Sequence, residues 1–230
     1  MKKLALILIS LSLILAACDF DVTADLYMQD VMDAQELGET LHINGTLSLE
    51  FSGDEEKQQQ IVEILQDELN DVKNVREEER SYSTYLVVDY KIPLITAEEV
   101  EDIYNHPNVQ DNIFTFAVSA NTLNVAFNKP RFDRLDTLLY DQFYQRLDFE
   151  DFTMSLRLQN DLREPVSVIL YSVYANSVPV PYSETFTLER RDEVEIKFSD
   201  VLRDSVTTLQ DIETAGIAVR KFAEFDVVAE

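Results

Sequence analysis

The feature that most constrains the fold of this chain is an alternation of apolar and polar residues with a period of two. It is clearest from Leu41 to Phe51, where the odd positions are apolar apart from Gly45 and the even positions are polar. The same period recurs at 22–28 and 82–92. Side chains of a strand point alternately to two faces, so this pattern predicts half-buried antiparallel strands with one face in water.

Helices are predicted between these strands. Ser52 and Glu55 have the spacing of a capping box, and an apolar stripe with helical period follows them. Thr96 and Glu99 repeat the spacing before a short helix, which the proline at position 107 is expected to end. A third helix is predicted to open at Pro130, with the apolar stripe Phe132, Leu135, Leu139 and Phe143.

The pattern changes after Leu147, where short strands follow one another at intervals of about ten residues. This spacing is typical of a small β-sandwich. The sequence therefore predicts an α+β protein, with a mostly antiparallel sheet that carries helices on one face and a small β-sandwich-like C-terminal part. The predicted domains are an α+β domain at 22–147 and a β-rich domain at 148–230, packed together without a linker.

The first 17 residues have the composition of a signal peptide. Lys2 and Lys3 form a short positive region, and the 14 residues from Leu4 to Ala17 form an uncharged segment that is apolar apart from two serines. A helix that spans a bilayer needs about 20 apolar residues, so this segment is too short to be one. A basic start, a short apolar core and small residues before a cleavage site are typical of secretory signals. We expect residues 1–17 to be removed.

The apolar segment ends at Cys18, the only cysteine of the chain. A secreted protein with one cysteine cannot form an internal disulfide, so the thiol needs another explanation. The residues Leu15-Ala16-Ala17-Cys18 resemble the lipobox of bacterial lipoprotein precursors. The resemblance implies cleavage before Cys18, a diacylglyceryl thioether on its sulfur, palmitate or another acyl chain on its new amine, and a lipidated anchor at 18–21.

The residue after the cysteine bears on the choice of membrane. Asp19 resembles the signal that retains lipoproteins in the inner membrane of enteric bacteria, which favours the inner membrane over the outer one. Strand-like alternation begins at Val22, four residues after the anchor, and four extended residues reach only about 14 Å. We therefore expect a periplasm-facing domain that stays close to its own membrane.

Charge excludes some classes of partner. Removal of Lys2 and Lys3 leaves 17 basic and 44 acidic residues, a formal net charge of −27. Nucleic acid is excluded as a ligand, because proteins bind its phosphates with lysine and arginine. Electrostatic attraction to anionic lipid headgroups is excluded for the same reason. Two explanations of the charge stay open, namely solubility and the recruitment of a basic partner.

Residues that carry chemistry are sparse. The two histidines, His42 and His106, are far apart in the sequence, and lipidation would use the one cysteine, so no metal site and no cofactor are expected. The chain contains neither a nucleophile elbow of the G-x-S-x-G type nor a glycine-rich phosphate loop. We expect a protein that is not an enzyme. An enzyme stays open as the alternative, because the members of a Ser–His–Asp triad or of a carboxylate pair are scattered along a chain.

The most suggestive surface lies near the end of the third helix. If its apolar stripe faces the core, Tyr140 and Tyr144 form an i,i+4 pair on a neighbouring face, beside Asp136 and Asp141. Aromatic residues with an acidic rim suit a protein interface, because tyrosine is enriched at binding hot spots. These four residues are the predicted partner-binding site. The alternative is that both tyrosines belong to the edge of the core.

The functional prediction combines these features. The lipobox, the acidic strand that follows it directly and the mixed fold resemble small lipoproteins of phages and prophages, some of which block superinfection at the cell envelope. The leading hypothesis is a membrane-anchored, non-catalytic binding or interaction module of the cell envelope. The alternatives are an exclusion or inhibitor lipoprotein that binds a basic envelope or phage protein, and an envelope enzyme of unknown type.

Overall fold

Eleven strands form one sheet in the computed structural model, which describes residues 18–207 and 216–227. Strand accounts for 54% and helix for 28% of the structure, so the protein is mostly β. The strands are β1 (Cys18–Tyr27), β2 (Leu41–Phe51), β3 (Asn70–Arg80), β4 (Ser83–Ala97), β5 (Phe114–Ser119), β6 (Thr122–Asn128), β7 (Leu147–Gln159), β8 (Val166–Ala175), β9 (Val178–Leu188), β10 (Glu193–Phe198) and β11 (Ile217–Val227). The helices are α1 (Met28–Leu37), α2 (Glu55–Glu68), α3 (Val100–Tyr104), α4 (Pro107–Asp111), α5 (Lys129–Phe143) and α6 (Asp200–Thr207).

Nine of these strands in the described part of the chain close into a barrel, in the order β10-β7-β1-β2-β4-β5-β6-β11-β8. The ring is completed by hydrogen bonds between β8 and β10. These bonds lie beyond Ser172, where a positive φ of 53° and a shift in register bend β8. A bulge of this kind increases the bend and twist of a strand, and here it lets β8 turn from β11 to β10.

The predicted α+β layer with helices on one face, followed by a β-sandwich-like C-terminal part, is wrong. β7 pairs in parallel with β1, and β11 pairs with β6, so the C-terminal strands complete the same barrel. The boundary predicted at 147/148 lies inside β7. Alternation shows only that one face of a strand is buried. It does not distinguish a face covered by helices from one that points to the axis of a barrel.

The core is the filled interior of the barrel. On β1 the buried side chains are the even ones, from Phe20 to Leu26, while the residues between them are partly exposed. Aromatic rings dominate the end of the interior next to Cys18. Phe20 lies 5.1 Å from Phe152 between ring centroids, and Phe114 stacks on Phe152 at 5.3 Å. Burial of one large apolar side chain stabilises the fold by about 1.5–3 kcal/mol.

Helices cover the two ends of the barrel. The Cys18 end is the end at which β1, β4 and β7 begin. There α5 connects β6 to β7, which are not neighbours in the sheet, and its Phe132 lies 6.0 Å from Phe20 between ring centroids. At the opposite end, the Tyr27 end, α1 follows β1 directly and buries Met28, Val31 and Ala34. Both helices therefore close the core rather than cover a face of the sheet.

The helices begin at other residues than the capping-box spacing predicts. Asp54, not Ser52, caps α2 by accepting a hydrogen bond from the backbone N–H of Lys57 at 3.0 Å. Pro107 does not only end a helix; it begins α4, and His106 is the N-cap of that helix. Pro at the first turn is tolerated because its missing N–H has no intrahelical partner there.

Two strands lie outside the barrel. β3 pairs with β4, and β9 pairs with β8. β3 is mostly exposed and carries the charged run from Arg76 to Arg80. The short helices α3 and α4 cover a second, smaller apolar cluster on the outer face of the wall, made of Ile95, Ile103, Val109, Ala117, Ala126, Ile217 and Val219.

Candidate functional site

The predicted partner-binding residues lie at the Cys18 end, around the last turn of α5. The rings of Tyr140 and Tyr144 meet edge to face, with 5.9 Å between their centroids. Tyr144 is strongly exposed, and Tyr140 is at the margin of exposure, so Tyr144 is not a core residue whereas Tyr140 lies at the edge of the core. Tyr144 ends the helix in the left-handed conformation, with φ of 56°. Asp141 is exposed on the same turn.

The fourth predicted residue, Asp136, serves a contact inside the protein. Its two carboxylate oxygens accept hydrogen bonds from the backbone N–H of Leu147 at 2.8 Å and from the guanidinium of Arg146 at 2.6 Å. Arg146 in turn lies over the ring of Tyr140, 3.8 Å from its centroid. Asp136 therefore joins the end of α5 to the start of β7, and it is not a free acidic rim for a partner.

Cys18 and Asp19 are the first two residues of β1. Cys18 pairs with Leu147 of β7, so the predicted lipidation site belongs to the wall of the barrel rather than to a linker. The predicted signal peptide, residues 1–17, lies outside the described residues.

A polar groove on the outer wall was not predicted from the sequence. It lies between β3 and the strands β1, β2 and β4, and it has an empty volume of about 780 Å³. Two bulges of β3 shape it, with left-handed residues at Asp71 (φ 53°) and Asn74 (φ 48°). The residues of the polar groove are Asp25, Asn44, Gly45, Thr46, Asp71, Lys73, Asn74, Asp89, Tyr90 and Lys91.

Charges of the polar groove neutralise one another. The guanidinium of Arg76 lies 3.0 Å from Asp89, and Arg157 lies 2.7 Å from Asp25. Partial burial would raise the pKa of Asp89, but the hydrogen bonds from Asn74 and Arg76 outweigh it and lower the pKa. The groove thus offers hydrogen-bonding groups of both charges, without an excess of either that would select a strongly basic or acidic ligand.

The Tyr27 end is acidic. The carboxylates of Asp30, Asp33 and Glu36 lie on α1, and Asp161 accepts a hydrogen bond from the backbone N–H of Gln29 at the start of that helix, at 2.9 Å. The pKa of Asp30 is raised, first by its burial and further by the neighbouring charges of Asp161 and Asp33. Like charges raise the pKa of an acid because they disfavour another negative charge nearby. Burial is thus the main cause of the raised pKa of Asp30, and the neighbouring negative charges add to it.

Groups that would support catalysis are dispersed. His42 is exposed on β2, whereas His106 accepts a hydrogen bond from the backbone N–H of Asn108 at 3.2 Å, and burial lowers its pKa. Within 18–207 and 216–227, no group of three or more His, Cys, Asp and Glu side chains is placed to hold a metal ion. A small apolar pocket between the barrel interior and α6 is lined by aromatic and aliphatic side chains, with Arg203 as its one polar lining residue.

Among the residues that the structure describes, no helix combines the length and the apolar composition needed to cross a bilayer.

The protein is therefore a closed β-barrel whose interior is filled by side chains and whose two ends are covered by helices. The polar and charged groups described above lie on the outer wall and at the two ends. The chain belongs to the family described as a domain of unknown function, DUF7424, whose model matches residues 20–219. The match runs from β1 into β11 and so covers the barrel. No curated protein and no solved structure matches the chain.

Proposed function

We propose that this protein is a lipid-anchored, periplasm-facing binding module of the cell envelope, without catalytic activity, and that the Tyr27 end captures a basic partner. The observation that carries the proposal is the course of β1. This strand begins at Cys18 and leads directly into the acidic helix α1. Ten residues of strand span about 33 Å, so lipid on Cys18 would hold the acidic end away from the membrane.

Electrostatics support a basic partner. With a net charge of −27 after removal of residues 1–17, the protein attracts cationic proteins over a distance, and the acids on and directly after α1, of which Glu36 and Glu39 are exposed, concentrate that field at the Tyr27 end. A field of this kind increases association rates and selects against acidic partners. Exclusion of a superinfecting phage, by capture of one of its basic proteins at the envelope, is one role that such a module would have.

Anchoring is tested by labelling cells with palmitate. We expect label in the wild-type protein and none in Cys18→Ala, because the thioether needs the sulfur. The variant should also keep its signal peptide, since the lipoprotein peptidase acts after lipidation. Incorporation of palmitate into Cys18→Ala would contradict the proposed anchor.

Partner capture is tested by crosslinking in intact cells, followed by purification of the protein from membranes. The variant Glu36→Gln/Glu39→Gln removes two exposed charges at the Tyr27 end. The control Glu55→Gln/Glu56→Gln removes the same charge from exposed positions in the first turn of α2, at the opposite, Cys18 end. We expect the first pair to lose most of the captured partner and the second pair to retain it.

The salt dependence of partner capture is a second test of the contact between the acidic Tyr27 end and a basic partner. Interactions between exposed charges are screened beyond about 8 Å at physiological ionic strength, so the capture should weaken as salt is added. If both double variants capture the partner equally well and salt has no effect, the acidic end serves solubility and the proposed binding surface is wrong.

A further inference from the structure

We propose that three tyrosines around the Cys18 end rest in the headgroup layer of a zwitterionic phospholipid bilayer. This tyrosine rim consists of Tyr82, Tyr140 and Tyr144. The inference rests on the proposed lipid anchor at Cys18, and it adds an orientation: the barrel stands on its Cys18 end, and the Tyr27 end faces away from the membrane.

Strand pairing places all three tyrosines at the same end as Cys18. Cys18 pairs with Leu147, which follows Tyr144 by three residues. On the other side of β1, Phe20 pairs with Leu49 of β2, and the same β2 strand ends at Phe51, opposite Thr84 of β4. Tyr82 lies in the turn before β4, beyond this end of the wall.

Side chains also connect these segments. Gln145, next to Tyr144, donates a hydrogen bond to the backbone carbonyl of Glu50 at 2.7 Å. The ammonium group of Lys57 lies 5.7 Å from the ring centroids of both Phe51 and Phe143. The end of α5 is therefore held against the end of β2, and the tyrosine rim lies at the same end of the barrel as the start of β1.

Exposure of the three rings has a physical explanation at a bilayer surface. Tyr82 and Tyr144 are strongly exposed, and Tyr140 is at the margin of exposure. In water, an exposed aromatic ring gains nothing from the hydrophobic effect. In the headgroup layer the ring leaves water while the hydroxyl keeps hydrogen-bond partners, which is why tyrosine is enriched there.

Charged residues at the same end select the kind of lipid. Arg146 and Lys57 can reach phosphate groups, and Arg146 keeps donors beyond the hydrogen bond that it gives to Asp136. Asp141, Glu55 and Glu56 are exposed close by, and they repel an anionic surface. A zwitterionic headgroup offers phosphate without net charge, so it is the surface that this end fits.

Tryptophan provides a specific probe, because the chain contains none. We would introduce Tyr144→Trp, Tyr82→Trp and Tyr182→Trp separately into the full-length, lipidated protein and reconstitute each variant in vesicles of brominated phosphatidylcholine. Tyr182 is the matched control, since it is 84% exposed against 83% for Tyr144 and lies on β9, outside the barrel wall. Bromine quenches the fluorescence of a tryptophan only when the indole ring is in contact with the brominated lipid.

We expect quenching at Tyr144→Trp and Tyr82→Trp to be several-fold stronger than at Tyr182→Trp, with emission shifted to the blue. Equal, weak quenching at all three positions overturns the inference. Flotation of the vesicles distinguishes a failure of the proposed orientation from a failure of the proposed lipid anchor. A protein that floats with the vesicles but shows no quenching at the rim is anchored without the proposed orientation, whereas a protein that does not float lacks the anchor.

A protein partner on the tyrosine rim is the competing outcome. A photo-crosslinker at position 144 in living cells would then join the chain to another protein, and phosphatidylcholine would not quench the tryptophan at that position. The melting temperature of each variant is measured alongside, and we expect no change because the replaced side chains are exposed.

Discussion

Gly45 allows β4 to place two large side chains over the middle of β2. A Cβ atom at this position would lie 2.6 Å from Cδ1 of Ile92 and 3.0 Å from Cε1 of Tyr90. Both residues are buried inside the barrel, so neither can move without disturbing its packing. We therefore expect Gly45→Ala to lower the free energy of unfolding by about 1–3 kcal/mol, as overpacking does in other cores.

Urea denaturation followed by circular dichroism measures this loss. Gly53→Ala is the control, because the nearest atom to its added Cβ would be Cδ of Lys57, the flexible part of a partly exposed side chain, and its one buried neighbour would be the ring of Phe51, with Cζ at 3.0 Å. The control should lose less stability than Gly45→Ala. Equal stability of the two variants would show that β2 and β4 separate easily.

Asp89 gives the stability of the protein a predictable dependence on pH. Its pKa is lower in the folded protein than the ordinary value of 3.8, because Asn74 and Arg76 donate hydrogen bonds to the charged carboxylate, in spite of the opposing effect of burial. An acid with a lowered folded-state pKa stabilises the fold above its unfolded-state pKa, and this contribution is lost as the pH falls through the folded-state pKa.

We expect Asp89→Asn to be less stable than the wild type at neutral pH and to approach it in stability below about pH 4. Urea denaturation at a series of pH values measures the difference. A constant difference across the series would mean that the carboxylate charge is not what stabilises this part of β4.

Among the elements, α5 depends on Asp136 for its connection to β7. Replacement by alanine leaves the backbone N–H of Leu147 without its acceptor, and Leu147 is buried. Loss of this bond should cost about 1–3 kcal/mol. Asp133→Ala, which removes an exposed i,i+4 contact with Lys129 on the same helix, should cost less than about 0.5 kcal/mol.

Thermal unfolding of Asp136→Ala and Asp133→Ala measures the two contributions on one helix. If the two variants have equal melting temperatures, the hydrogen bonds of Asp136 do not contribute measurably to holding the end of α5. The tyrosine rim would then be less well positioned than the hydrogen bonds of Asp136 indicate.

Prediction of elements from sequence succeeded where a regular period was present. The alternation at 41–51 is β2, and the stripe that begins at Phe132 is the buried face of α5. It failed at β3, because the bulges at Asp71 and Asn74 interrupt the period of two and most of the strand is exposed. The polar groove is partly built by β3, so it was missed for the same reason.

The arrangement of the side chains around Tyr140 could be predicted only in part from the sequence. The i,i+4 spacing correctly placed Tyr140 and Tyr144 together on the surface, because a helix brings residues four apart into contact. The role of Asp136 was not predictable, since its partners Arg146 and Leu147 lie beyond the helix end. Whether the tyrosines bind a partner stays a prediction.

For the whole molecule, the shared barrel leads us to expect that neither predicted domain folds alone. A fragment of residues 18–147 would retain β1 to β6 but would lack β7, β8, β10 and β11, so β1 and β6 would each lose a neighbour. Phe20 and Phe114 would also lose their contact with Phe152. We expect no cooperative unfolding transition in urea for this fragment, and a single one for residues 18–230.

A cooperative transition for residues 18–147 would show that the predicted N-terminal domain exists and that the barrel is an assembly of two folding units. Sequence patterns could not decide this question, because they contain no information on which strands pair. The decisive pairs, β1 with β7 and β6 with β11, join segments far apart in the chain.

The pairing of β1 with β7 also determines the order in which the two edges of β1 can be paired during folding. Cys18 and its partner Leu147 are separated by about 130 residues, and contacts of such long range make folding slow. During synthesis, β1 can pair with β2 early, but its other edge stays open until β7 has been made. An open strand edge is a template for pairing with other chains. The nascent protein is therefore exposed to misassembly for as long as β7 is missing, and completion of the barrel wall ends that exposure.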